Sequence, residues 1–110
     1  MALELKRASS IEVLREAAPE VAQAFGALRR SIEEAGPLNA KYRELINVGA
    51  FTTARSESSV KTHSGRALDA GATPEELRQA ALLALAATTG VAPVADALRW
   101  IEEVVAGRKS

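Results

Sequence analysis

The sequence contains no cysteine. Disulfides, thiolate metal sites and thiol redox chemistry are therefore excluded for this chain. Aromatic residues make up only 4% of its 110 residues, although 47% are hydrophobic. The core must be built mainly from Ala, Leu, Val and Ile, which favours closely packed helices. Neither charge dominates: fourteen basic residues balance fourteen acidic ones. That balance argues against a nucleic-acid partner, which calls for a concentrated basic excess. No apolar run approaches the roughly 20 residues needed to cross a bilayer. The opening MALELKRASS has no apolar signal-peptide core. The expectation is a soluble cytoplasmic protein with no membrane partner, forming a single domain over residues 1–110. A chain this small hides a modest share of its surface, so a homo-oligomer is a natural supplement.

Strand signals are almost missing, because alternation never lasts and no hairpin dipeptide occurs. Helix punctuation is frequent, and it places six helices in an all-α, compact antiparallel bundle with short connections. Ser9 or Ser10 caps a short first helix carrying Ile11 and Leu14. Pro19 and Glu20 open a second, whose stripe Val21, Ala24, Phe25, Leu28 and Ile32 ends at Gly36. Asn39 caps a third helix, roughly 40 to 54, and Ser56 a fourth that stops at Gly71. Thr73-Pro74-Glu75-Glu76 is a capping-box start for the fifth. Its run AALLALAA at 80–87 is apolar all round, so burial on most sides is expected, at the bundle centre or in a subunit contact. Pro93 is expected to open the last helix and Gly107 to close it, with Trp100 between the faces and Arg-Lys-Ser frayed.

The only histidine, His63, lies in the fourth helix, with Ser56 and Ser59 seven and four residues before it. On a helix these three positions fall within about 60° of one another and share one face. That face continues through Ala67 and Ala70, so the imidazole points to the packed side beneath small residues. On the third helix Glu44 lies in line with Lys41, Val48 and Phe51. A carboxylate buried without a partner is costly, so Glu44 needs one, and His63 is a candidate. If the two meet, the carboxylate holds one imidazole tautomer and leaves the other nitrogen free to move a proton. A purely structural pair inside the core remains the plainer alternative.

Ser56 and Ser59 read first as helix-start residues worth roughly 1 kcal/mol as caps. Ser59 lies one turn from a potential base, but G-x-S-x-G is absent and no oxyanion hole is recognisable. Arg55 and Arg66 are candidates to receive an anionic substrate at the edge of the stretch. One histidine without an acidic cluster argues against a metal site, and no cofactor is implied.

The segments RELINVGA at 43–50, SESSVKTH at 56–63 and RALDAGATPEEL at 66–77 resemble the carboxymuconolactone decarboxylase family, which includes alkylhydroperoxidase D-like proteins. The resemblance runs from Leu38 to about Val105. It implies an all-α fold assembled as homotrimers or homohexamers. In the hydroperoxidase-like branch the motif is Cys-x-x-Cys-x-x-x-His, with a glutamate twelve residues before the first cysteine. Glu44 and His63 match that pattern, while Ser56 and Ser59 occupy the cysteine positions. A serine hydroxyl forms no disulfide, so peroxidase chemistry does not carry over. The decarboxylase branch also lacks the cysteine pair and keeps the histidine. Glu57 fits its habit of charged residues there, whereas Ser58 and Ser59 do not. The reading favoured is a decarboxylase-like lyase performing acid/base chemistry on a small carboxylate or lactone. The alternatives are an antioxidant relative with its cysteine pair replaced and a non-catalytic oligomer that binds a small ligand.

Overall fold

The computed structural model describes residues 8–109, among which there are six helices and no strand. The fold is all-α. The chain divides into two compact units, one up to Pro37 and one from Leu38.

The first unit holds α1 (Ser10–Ala17) and α2 (Pro19–Glu34). Ser9 caps α1 by accepting a hydrogen bond from the Glu12 N–H, and Pro19 occupies the first turn of α2. Val21, Phe25, Leu28 and Ile32 are all exposed, and Ala22 is the one fully buried side chain of α2.

The second unit holds α3 (Ala40–Thr53), α4 (Glu57–Asp69), α5 (Pro74–Ala87) and α6 (Val91–Lys109). Connections of three or four residues make consecutive helices antiparallel. Cross-links between alternate helices agree with this arrangement. Lys41 pairs with Glu76 at the start of α3 and α5, and Thr53 hydrogen-bonds Thr88 at their ends, so these two helices run parallel. Lys61 pairs with Glu103, and Arg108 reaches Asp69, so α4 and α6 do the same. Val48, Val60, Leu77 and Ile101, one from each helix, are the largest fully buried apolar side chains at the centre.

Local chemistry sets the helix ends. Asn39 accepts from the Tyr42 N–H at 3.1 Å, and the Thr73–Glu76 capping box forms with both of its hydrogen bonds. α4 stops at Gly71, whose φ of 98° lets the Ala72 N–H reach back to the Ala67 carbonyl at 2.9 Å. Of the two placements expected for the α5 run, the bundle centre does not hold: Ala80, Ala81 and Ala84 are buried within the chain, but Leu82, Leu83 and Leu85 are exposed there. Two further expectations need correction. α6 begins at Val91, with Pro93 inside a first turn whose N–H groups lack intrahelical partners anyway. It also passes Gly107 and runs to Lys109, because Arg108 donates to the Asp69 carboxylate at 2.6 Å and the Gly65 carbonyl at 2.9 Å. That tether holds the last turn on α4, so the expected fraying is not seen through Lys109.

Candidate active site

Helices α3 and α4 bring Glu44 and His63 together. Both side chains face the packed interior, Glu44 because it shares a face with Val48 and Phe51, His63 because it shares one with Val60 and Ala67. The imidazole Nδ1 lies 2.5 Å from Glu44 Oε2, and each residue is less than a tenth exposed. A carboxylate only accepts, so against Glu44 in that form the Nδ1–H is the donor of this contact. That leaves Nε2 as the nitrogen with a free lone pair.

Phe51, two turns beyond Glu44, stacks on the imidazole with ring centroids 5.1 Å apart and planes 16° from parallel. The histidine is thus held at one edge by a carboxylate and on one face by an aromatic ring. Both constraints come from α3. Sequence reading placed Phe51 on the right stripe but gave it no part in the site. Its spacing of seven from Glu44 was the available signal, because residues seven apart stack along one helix face.

The carboxymuconolactone decarboxylase profile matches residues 19–103, more than half of the chain. The chain belongs to the carboxymuconolactone decarboxylase family. No curated protein and no solved structure matches it. Family membership covers α2 through most of α6, so both Glu44 and His63 lie inside the matched region.

Within this family member, the serines are placed less centrally than the acid and the histidine. Ser56 is the residue before α4, but its side chain makes no capping hydrogen bond. Ser56 and Ser59 are both half-buried, and no hydrogen bond joins either to His63 among the described residues. Ser59 shares the helix with His63, and Ser56 stands at its N-cap.

The turn into α4 is unusual. Arg55 takes a left-handed conformation, φ 58°, which lets the Ser56 N–H donate to the Phe51 carbonyl and the Arg55 N–H to the Thr52 carbonyl. This is the same helix-ending pattern as at Gly71, made here by a residue with a Cβ at a cost of about 1–2 kcal/mol. The Arg55 guanidinium is exposed and lies 3.6 Å from Asp96, so it is partly neutralised there. Arg66 has a buried Nη1 with no hydrogen-bond partner.

Ser64, next to His63 in sequence, is fully buried, and its hydroxyl also lacks a partner. It was not singled out from the sequence. Thr52, equally buried, turns its hydroxyl back to the Val48 carbonyl at 2.8 Å and is thereby satisfied within α3. Among the described residues no group of three His, Cys, Asp or Glu side chains could hold a metal ion.

Proposed function

We propose that this member of the carboxymuconolactone decarboxylase family is an acid/base enzyme acting on a small carboxylate or lactone. His63 moves the proton through Nε2, and Glu44 is its positioning residue. The observation that carries the reading is the 2.5 Å contact between Glu44 and the His63 Nδ1, made away from bulk water. Such a carboxylate fixes the tautomer and offsets the positive charge that develops when Nε2 takes a proton. Phe51 keeps the ring plane fixed, so the lone pair has one direction. Arg66, one turn beyond His63 on the same helix and with an unsatisfied guanidinium nitrogen, is the candidate to receive a carboxylate substrate.

A second reading rests on one specific feature. Ser56 and Ser59 stand at the spacing and on the helix face where the hydroperoxidase-like branch carries two cysteines. The chain would then be a relative of that branch without its redox pair.

One set of assays separates the two. The purified chain is incubated with a panel of small lactone carboxylates, and ring opening or loss of carbon dioxide is followed by NMR. Acid/base chemistry predicts turnover that His63→Ala lowers by about 10²–10⁴-fold. Turnover untouched by His63→Ala overturns the first reading. The second predicts that Ser56→Cys with Ser59→Cys creates a reducible disulfide and peroxide reduction. A double variant with two inert thiols rejects it.

A further inference from the structure

The second unit neutralises most of its cations. Lys41, Arg55, Lys61, Arg78, Arg99 and Arg108 each lie within 3.6 Å of a carboxylate oxygen. Arg43 and Arg66 have no such partner among the described residues. Both are half-buried, and each carries a buried nitrogen without an acceptor, Nε of Arg43 and Nη1 of Arg66. Arg43 spends its Nη1 on the Leu38 carbonyl at 2.6 Å and still leaves Nε unmet. A buried donor without an acceptor is destabilising, and more so on a charged group.

The fold brings these two arginines to one place. Around α3 the buried Val48 and Thr52 lie about 40° and 80° to one side of Glu44, and Arg43 about 100° to the other. Around α4 the buried Val60, Ser64 and Ala67 lie about 40–100° to one side of His63, and Arg66 about 60° to the other. Val48, Val60 and Ala67 belong to one core cluster, so both arginines stand on the flank of the Glu44–His63 contact turned away from it. Their levels also agree. Arg43 is one residue before Glu44 and Arg66 three after His63, and in antiparallel helices both steps run toward the same end. At 1.5 Å per residue the two are about 3 Å apart along the pair.

We propose that Arg43 and Arg66 form a two-armed site for one carboxylate, beside His63. Both residues belong to the second unit. Charge fixes the class of ligand: Glu44 offsets one of the two guanidinium groups, and the one left over matches a single negative charge. A carboxylate also supplies the acceptor oxygens that the orphaned nitrogens lack. Arg55, the other arginine singled out from the sequence, already has Asp96 at 3.6 Å. Taking the bound carboxylate as the substrate's rests on the acid/base function proposed above; the binding itself does not.

Binding of benzoate, of its neutral counterpart benzamide and of inorganic phosphate is measured by calorimetry on the intact chain. Benzoate should bind saturably at one site per chain, and benzamide should not bind. Arg43→Gln and Arg66→Gln should each weaken benzoate about tenfold or more, with part of the loss recovered in Arg43→Lys and Arg66→Lys. Arg99→Gln, on α6 and 72% exposed, should leave it unchanged. Arg66→Gln should melt no lower than wild type, because it removes a charge that has no partner. Absence of benzoate binding, binding that both Gln variants leave intact, or phosphate held more tightly than benzoate overturns the proposal. So does an Arg66→Gln chain that melts well below wild type, which would make that arginine a structural cation. His63→Ala should keep benzoate bound while losing lactone turnover. Turnover that survives His63→Ala, with benzoate still dependent on the two arginines, would reject the proposed reaction and leave this site standing.

Discussion

Helix α3 has two unlike faces. Toward α4 it presents Glu44, Val48 and Phe51, where the acid is buried against a histidine. Toward the groove between α3 and α5 it presents Ile46, Gly49 and Ala50, where an isoleucine is left 57% exposed. The usual assignment of polar groups outside and apolar groups inside is reversed on both sides. A buried carboxylate persists where a partner satisfies it, whereas the apolar strip is left uncovered by the helices next to it. One fourteen-residue helix carries both faces.

The widest gap between inward and outward faces should appear on α5, which carries leucines of both kinds. Leu77 is fully buried and Leu83 is 65% exposed. Leu77→Ala should cost about 2–5 kcal/mol of unfolding free energy. Leu83→Ala should change the stability of the chain by no more than about 0.5 kcal/mol. Urea unfolding at low protein concentration measures both. Equal costs would mean that the outer face of α5 is already covered within one chain, and the contrast between faces would be lost.

Next in size is the polar face of α3. Glu44→Ala leaves the His63 Nδ1–H without its acceptor in a site nearly closed to water, at a cost of about 1–3 kcal/mol. Glu44→Gln keeps an acceptor oxygen but no charge, and should recover part of that stability without recovering turnover. Nitrogen NMR of the single histidine reads the tautomer directly: Nδ1–H in the wild type, mixed tautomers in Glu44→Ala. Wild-type stability and tautomer in Glu44→Ala would make the contact incidental. Full turnover in Glu44→Gln would assign Glu44 a structural part alone.

How far the sequence disclosed these features follows from the range of the forces behind them. Helix ends were legible at Ser9, Asn39, Thr73 and Gly71 because a cap is decided within four residues. The meeting of Glu44 and His63 was legible because a polar group on each of two adjacent apolar stripes demands a partner. The stacking of Phe51 was not, since a shared stripe does not say which ring a side chain lands on. Periodicity marked Val21, Phe25, Leu28 and Ile32 as one face, yet a pattern says only that a face is apolar, not what it packs against. The end of α6 was misplaced at Gly107 because Arg108 is anchored to Asp69, 39 residues away in sequence.

The smallest effect expected concerns the boundary between the groove and solvent, where Lys41 and Glu76 join the first turns of α3 and α5. The hydrogen bond from Lys41, aided by the Thr73 backbone N–H, holds the Glu76 carboxyl below its ordinary value of 4.5. The same hydrogen bond raises Lys41 above 10.5. A depressed carboxyl contributes stability that is fully present above its unfolded pKa and is lost as the pH falls through the folded one. A raised ammonium contributes below 10.5 and loses that contribution as the pH rises through its folded value. Glu76→Gln removes the charge while keeping a side-chain oxygen for the Thr73 N–H. The melting-temperature difference between wild type and Glu76→Gln should therefore be small and positive at neutral pH. It should shrink below pH 4.5 and also fall with added salt, because both partners are open to solvent. A difference that persists unchanged in strong acid would assign the contribution of Glu76 to its helix-capping bond alone, and the link between the two groove walls would rest on Thr53, Thr88 and the Gly49–Ala80 approach.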